Sequence, residues 1–183
     1  DQQNTKAVHE FESVKLLKQI QLFNNGIDPT YESLSDNKTE IFAGAAADPN
    51  YMNLKFLKKR TRQKKEAGAR FIQTQMIMDK KYLIYFCDEI SKPLNLPVLA
   101  GVFLLKSYKN ALFVNKFVPG ANIPDRILNR LKESDNPIEE GMNIAAEQLR
   151  EFIEISEGVH LMAVKSEHLI PEILKRAEIN LEY

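Results

Sequence analysis

The stretch Gly68-Ala69-Arg70-Phe71-Ile72-Gln73-Thr74-Gln75 carries the clearest chemical signal in the chain. A basic helical run ends at the glycine and a short apolar strand follows. The strand finishes on the amide of Gln75, and the carboxylate of Asp79 comes four residues later. Parallel sheets place their chemistry where strands end, so Gln75 is the first candidate for a ligand contact. A buried amide satisfied by its neighbours is the competing reading. The densest charge run is Lys58-Lys59-Arg60-Thr61-Arg62-Gln63-Lys64-Lys65, which reads first as the solvated face of a helix. No aromatic residues interleave these charges, and 25 Lys and Arg balance 25 Asp and Glu over the chain, so nucleic acid is not indicated. His9, His160 and His168 are scattered with no cysteine beside them, so no metal spacing appears. His160 on a strand, and Met76 and Met78 at a strand end, read as structural and packing residues. The single cysteine, Cys87, lies on the apolar face of a helix with Leu83, Ile84, Phe86 and Ile90. It reads as a buried structural thiol in a reducing compartment.

The elements that must hold these residues alternate. Val14, Leu16, Leu17, Ile20 and Phe23 predict a helix over 12–24, with Gly26 as its cap. A buried strand is expected over 41–47, stopped by Asp48-Pro49, and then a helix over 52–67 closed by Gly68. Strand 70–75 leads to a helix over 80–92 ended by Pro93. Strand 97–103 is followed by helices over 107–117, 125–132 and 138–155, with Pro124 and Pro137 at two of the starts. Strand 158–164 leads to a last helix over 167–177, for which Ser166 is the expected cap.

Strand–helix alternation with nearly all-apolar strands means a parallel sheet covered by helices, an α/β fold. Four such units preceded by a helix make half of an eightfold barrel, or a small open sheet. Asp1 opens in a polar segment that resembles a loop interior, which favours the barrel, so residues 1–183 are expected to form the C-terminal half of a (β/α)8 TIM barrel, its last four strand–helix units. Such a half would leave two open edges, and association with a missing N-terminal half or into a homo-oligomer is expected. At 183 residues the chain can bury a sizeable core. No membrane-length apolar run and no signal-peptide pattern appear, so a cytoplasmic protein with no membrane partner is expected.

Several blocks stand in a distinctive order: Phe42-Ala43-Gly44-Ala45-Ala46-Ala47-Asp48-Pro49, then Glu66 to Gln75, then Pro97-Val98-Leu99-Ala100-Gly101-Val102. Lys106-Ser107-Tyr108-Lys109-Asn110-Ala111 and Val118-Pro119-Gly120-Ala121-Asn122-Ile123-Pro124 follow, and Glu140 to Ala145 and Gly158 to Met162 complete the set. Together they resemble the methylenetetrahydrofolate reductase family over essentially the whole chain, most closely the subgroup of acetogenic metabolism and of fusions with homocysteine methyltransferase domains.

The resemblance implies a flavin, FAD or FMN, at the carboxyl ends of the barrel strands. It also implies hydride transfer from reduced flavin to methylenetetrahydrofolate, giving methyltetrahydrofolate, with NAD(P)H or another redox partner as electron donor. Gln75 matches the strand-end glutamine that hydrogen-bonds the pterin and also approaches the nicotinamide, a double role that suits an amide able to donate and accept at once. Asn110 matches a folate-contacting amide, and Lys165 is the cation nearest to a folate-holding arginine, offset by about one residue. Asp1 falls where the family has a loop aspartate near flavin and pterin, which could stabilise a cationic iminium substrate. Ala47, Asp48, Arg60, Gln63 and Lys64 match cofactor-contacting positions. Lys64 corresponds to the family's lysine and Arg60 to a common asparagine. Gln63 replaces a frequent arginine, which weakens the adenosine end of FAD and leaves FMN open, and Asp48 replaces a tyrosine or asparagine. The family's general acid lies in its first strand, which has no counterpart in these residues. Two other readings remain at this level: a pterin-binding, methyl-transferring barrel without flavin, and a non-catalytic barrel subunit.

Overall fold

A computed structural model describes residues 12–27 and 38–180. Helix α1 (Ser13–Asn24) precedes strand β1 (Gly44–Ala47), helix α2 (Leu54–Glu66) and strand β2 (Phe71–Met76). Helix α3 (Lys80–Phe86) runs into a π turn (Cys87–Ser91) and a 3-10 turn (Lys92–Leu94) before strand β3 (Val98–Phe103). Helices α4 (Tyr108–Phe117), α5 (Asp125–Glu133) and α6 (Pro137–Ile153) lead to strand β4 (Gly158–Met162). A 3-10 turn (Glu167–Leu169) and helix α7 (Ile170–Arg176) follow.

All three strand pairings are parallel, and the sheet order is β1-β2-β3-β4. A doubly wound sheet reverses its strand order at a switch point. Here each strand lies beside its predecessor, which is the winding of a (β/α) barrel. One face of the sheet packs on the helices: Ile72, Val98, Ala100 and Val102 meet Leu83, Phe86, Ile90, Leu149, Phe152 and Ile173 in one core cluster. Ile72, Val98 and Phe86 have no accessible surface, and a buried side chain of this size contributes about 1.5–3 kcal/mol before the entropy of ordering it is counted. The other face carries Phe71, Gln73, Gln75, Leu99, Phe103 and His160, all only half-buried.

Local chemistry sets the boundaries. Gly68 has φ +107, and its N–H returns to Lys65 O (3.0 Å) while Ala69 N–H returns to Lys64 O (3.0 Å). This left-handed cap turns α2 directly into β2. β1 starts at Gly44, later than the apolar run suggests, because the Asn24 side chain occupies the backbone of Ile41: Ile41 N–H donates to Asn24 Oδ1 at 2.9 Å, and Asn24 Nδ2 donates to Ile41 O at 3.0 Å. The helix expected over 80–92 loses its α geometry at Cys87, and the chain continues through two irregular turns to Asn95 at φ +47. Cys87 is buried, and burial pushes its thiol up to about 11. Ser166 makes no side-chain cap, and the last helix begins as a 3-10 turn. Among the described residues no helix is long and apolar enough to cross a membrane.

Candidate functional site

β2 carries the centre of the site because it is irregular there. Gln73 pairs with Leu99, but Met76 pairs with Gly101, so three steps along β2 match two along β3. This is a bulge, a device that re-aims side chains beside functional sites. Thr74 stabilises it, since its hydroxyl accepts from Gly101 N–H at 2.8 Å and donates to Gln75 O at 2.8 Å. Gly101 permits it, since a Cβ there would lie 2.8 Å from the backbone oxygens of both Thr74 and Gln75.

A cleft of about 880 Å³ opens along the unpacked face of β1 and β2. Gly44 to Ala47 form one wall; Phe71, Gln73 and Gln75 form the floor; Asp48, Tyr51, Lys64, Pro119 and Gly120 close the carboxyl end. This volume lies within the range of small-molecule and cofactor sites. β1 has only small side chains in the cleft, and a Cβ at Gly44 would meet the Phe71 ring at 2.3 Å. The Phe71 ring therefore covers the Gly44 end of the wall, and the small side chains of Ala45 to Ala47 leave the rest of it low.

The Gln75 amide is held at both ends. Its Nε2 donates to Pro119 O at 2.9 Å, and its Oε1 accepts from Met76 N–H at 2.8 Å. A carboxamide has two N–H donors and two acceptor positions, so one of each remains for a ligand. Lys64, on the inner face of α2, reaches the same cleft and donates to Ala46 O at 2.6 Å. Burial first, and the nearby Arg60 second, hold its pKa below the ordinary lysine value. Its ammonium has no carboxylate in salt-bridge range among the described residues. Arg60 differs: its guanidinium pairs with the Glu12 carboxylate and donates to Gln63 Oε1 at 3.4 Å. Arg60 lines a narrower slot beside the cleft, with Ala47, Asp48, Tyr51 and Phe56.

Asp48, at the end of β1, accepts from Asn50 N–H (3.0 Å) and Asn50 Nδ2 (3.1 Å). Burial raises its pKa above the usual carboxylate value, and the two Asn50 bonds oppose that shift without cancelling it. The folded chain therefore holds this proton more tightly than the unfolded chain does. The associated stability is present below the unfolded pKa and is lost as pH rises through the folded one. Melting temperatures measured across the acidic range should show this loss in the parent, whereas Asp48→Asn should flatten it; parallel curves would assign the dependence to other carboxylates.

The cleft brings together Gln75, Lys64, Asp48 and Ala47. Arg60 lines the adjoining slot, and Gln63, which accepts from Arg60, lines neither the slot nor the cleft. Asn110 is not in the lining; its Oδ1 accepts from Lys106 N–H at 3.1 Å, closing the turn that starts α4. Lys165 lies in the turn after β4, at φ +57, with its N–H donating to Glu167 Oε1 at 2.9 Å. Asp1 lies outside the described residues. Three residues escaped the sequence analysis, Asn50, Tyr51 and Gln73, and with Gln73 its contact to His160, in which Gln73 Nε2 lies 2.6 Å from His160 Nδ1. For Gln73 a signal was present, since it is two residues from Gln75 and shares its strand face. Among the described residues no group of three or more His, Cys, Asp or Glu could hold a metal ion.

The family model described as methylenetetrahydrofolate reductase matches residues 9–178. No curated protein matches the chain. Among solved structures, one similar chain is described as an uncharacterized protein from Clostridium thermocellum that binds two copies of 5-methyl-5,6,7,8-tetrahydrofolic acid. The two are 18% identical with a TM-score of 0.59, and the match covers 79% of this chain and 55% of that one. At this identity the likeness speaks for the fold alone, and the chain spans little more than half the length of that neighbour.

Proposed function

Because the chain belongs to the methylenetetrahydrofolate reductase family, we propose that its cleft holds a flavin and a reduced folate and serves the reduction of methylenetetrahydrofolate to methyltetrahydrofolate. The observation that carries this reading is Gln75, an amide fixed at both ends on a cleft floor that also receives Lys64. The folate-binding neighbour of the same fold supports the folate half of the proposal. In balance, a hydride reaches the methylene carbon and a proton reaches the folate nitrogen from which that carbon separates. The flavin, reduced by a nicotinamide cofactor or another donor, supplies the hydride when bound.

The chain's own residues bind and orient. Gln75 offers its remaining N–H and oxygen lone pair to the pterin, in a direction fixed by Pro119 O and Met76 N–H. Ala46 leaves room for a flat ring against β1, beside the Phe71 ring that covers Gly44. Lys64 fits a phosphate on physical grounds: it is partly desolvated, repelled by Arg60 and, among the described residues, bonded only to a carbonyl. An incoming anion would relieve each of these costs. The four strand–helix units are assigned to the C-terminal half of the eightfold barrel, on the order of the motifs. On that reading the half-buried Phe71 and Leu99 belong to the face that the other strands would cover.

Lys64→Ala should weaken flavin affinity about tenfold, worth about 1.4 kcal/mol, and raised salt should narrow the gap because the contact is a point charge. With Gln63 engaged by Arg60 and no arginine at that position, FMN and FAD should bind the flavin-stripped protein with similar affinity. Fluorescence titration of both flavins checks this. FAD binding a hundredfold tighter, about 2.7 kcal/mol, would overturn the reading of position 63. An unchanged affinity in Lys64→Ala would make the α2 charges a solvated face.

A further inference from the structure

Asn50 joins three chain segments at the carboxyl end of the sheet. Its Nδ2 lies 3.1 Å from Met76 O at the end of β2 and 3.0 Å from Gly120 O in the turn between α4 and α5. The same nitrogen lies 3.1 Å from Asp48 Oδ1, which also accepts the Asn50 backbone N–H at 3.0 Å. Gln75 engages the same two places from the cleft side, accepting from Met76 N–H and donating to Pro119 O. The two amides thus grip one β2 residue, Met76, and the adjacent residues Pro119 and Gly120 from opposite sides.

We infer that Asn50 is the positioning residue for Gln75, acting through the tip of the Pro119–Gly120 turn. Among the described residues no other side chain outside the cleft bonds the Pro119–Gly120 tip, whose turn is closed by Ala121 N–H to Val118 O at 3.1 Å. Loss of the Asn50 bond to Gly120 O therefore loosens the Pro119 carbonyl, and with it the direction of the free N–H and lone pair of Gln75. Two features show that the tip is built for this contact. Gly120 has φ +80, and a Cβ there would lie 2.3 Å from Asp48 Oδ2, so only glycine brings the turn this close to Asp48. The far side of the turn is anchored independently by Asn115, whose Nδ2 donates to Ile123 O (3.1 Å) and whose Oδ1 accepts from Ile123 N–H (2.8 Å). Asn50 therefore governs the tip and not the whole connection. The role assigned to it rests on the proposal that Gln75 contacts folate; the clasp itself does not.

The test combines hydrogen exchange in the ligand-free protein with titration of 5-methyltetrahydrofolate, for the parent, Asn50→Ala, Gln75→Ala and the double variant. Asn50→Ser, too short to reach either carbonyl, is the second variant should Asn50→Ala fail to fold. Asn50→Ala should speed exchange over residues 118–121 and weaken folate binding about tenfold, the scale of one or two lost hydrogen bonds. In the Gln75→Ala background it should weaken binding no further, since residues acting as a unit are not additive. Unchanged exchange would overturn the clasp. Faster exchange with an equal loss of affinity in both backgrounds would overturn action through Gln75. A parent protein that binds no folate would remove the proposed function, and the positioning role with it, while exchange at the turn would still report the clasp.

Discussion

Replacing Gln75 by glutamate should weaken folate binding and turnover by about 1–3 kcal/mol, the cost of losing a hydrogen bond in a desolvated site, while leaving bound flavin largely unchanged. The substitution keeps the side-chain length but removes both N–H donors. Pro119 O, now 2.9 Å from Nε2, would instead face a carboxylate oxygen. The remaining donor offered to the pterin would be lost at the same time. Folate titration and flavin content of the purified variant measure the two effects separately. An equal loss of flavin and folate would show that Gln75 is a structural amide.

The largest stability effect is expected at Gly141 on α6. A Cβ there would lie 1.8 Å from Leu105 O and 3.0 Å from Leu105 C. Both are backbone atoms in the segment that follows β3, and Leu105 is itself buried. Alanine would gain about 1 kcal/mol of helix propensity over glycine, but overpacking against an immobile backbone costs about 3 kcal/mol or more. Gly141→Ala should therefore lose about 2–3 kcal/mol net, a fall of about 4–12 °C in Tm for a chain of this size. Gly158→Ala is the control, because its Cβ would meet only a side-chain end, Leu99 Cδ2 at 2.9 Å. Thermal melts that show equal shifts for the two variants would mean that the α6 contact yields as easily as a leucine methyl.

The order and type of the elements were legible in the sequence because apolar periodicity and glycine caps are local signals. Strand–helix alternation was enough to predict the parallel sheet, but not its winding, since four parallel strands also fit a small open sheet. Boundaries failed where a distant group intervened. β1 was read three residues early because its apolar residues continue back to Ile41, and only the fold shows Asn24 bonding that backbone. The helix after β2 was read as uniform, since the π turn at Cys87–Ser91 leaves the apolar spacing almost intact. In the site, Gln75 stood out as a polar residue ending an apolar strand, and Lys64 through the family resemblance. Asn50 was invisible: its acceptors lie 26 and 70 residues away, and Asp-Pro-Asn reads locally as an ordinary turn. The Gln73–His160 contact spans 87 residues and links the two strands on either side of β3.

The most direct test of the assignment is an anaerobic reoxidation measurement. The purified protein is loaded with flavin, reduced, and mixed with methylenetetrahydrofolate while the visible flavin absorbance is followed. Oxidised flavin absorbance should return at a rate that depends on folate concentration, with methyltetrahydrofolate formed in equal amount, and Gln75→Glu should slow the return. Flavin that binds and stays reduced in the presence of the folate would contradict the assignment, as would a protein that binds methyltetrahydrofolate but takes up no flavin.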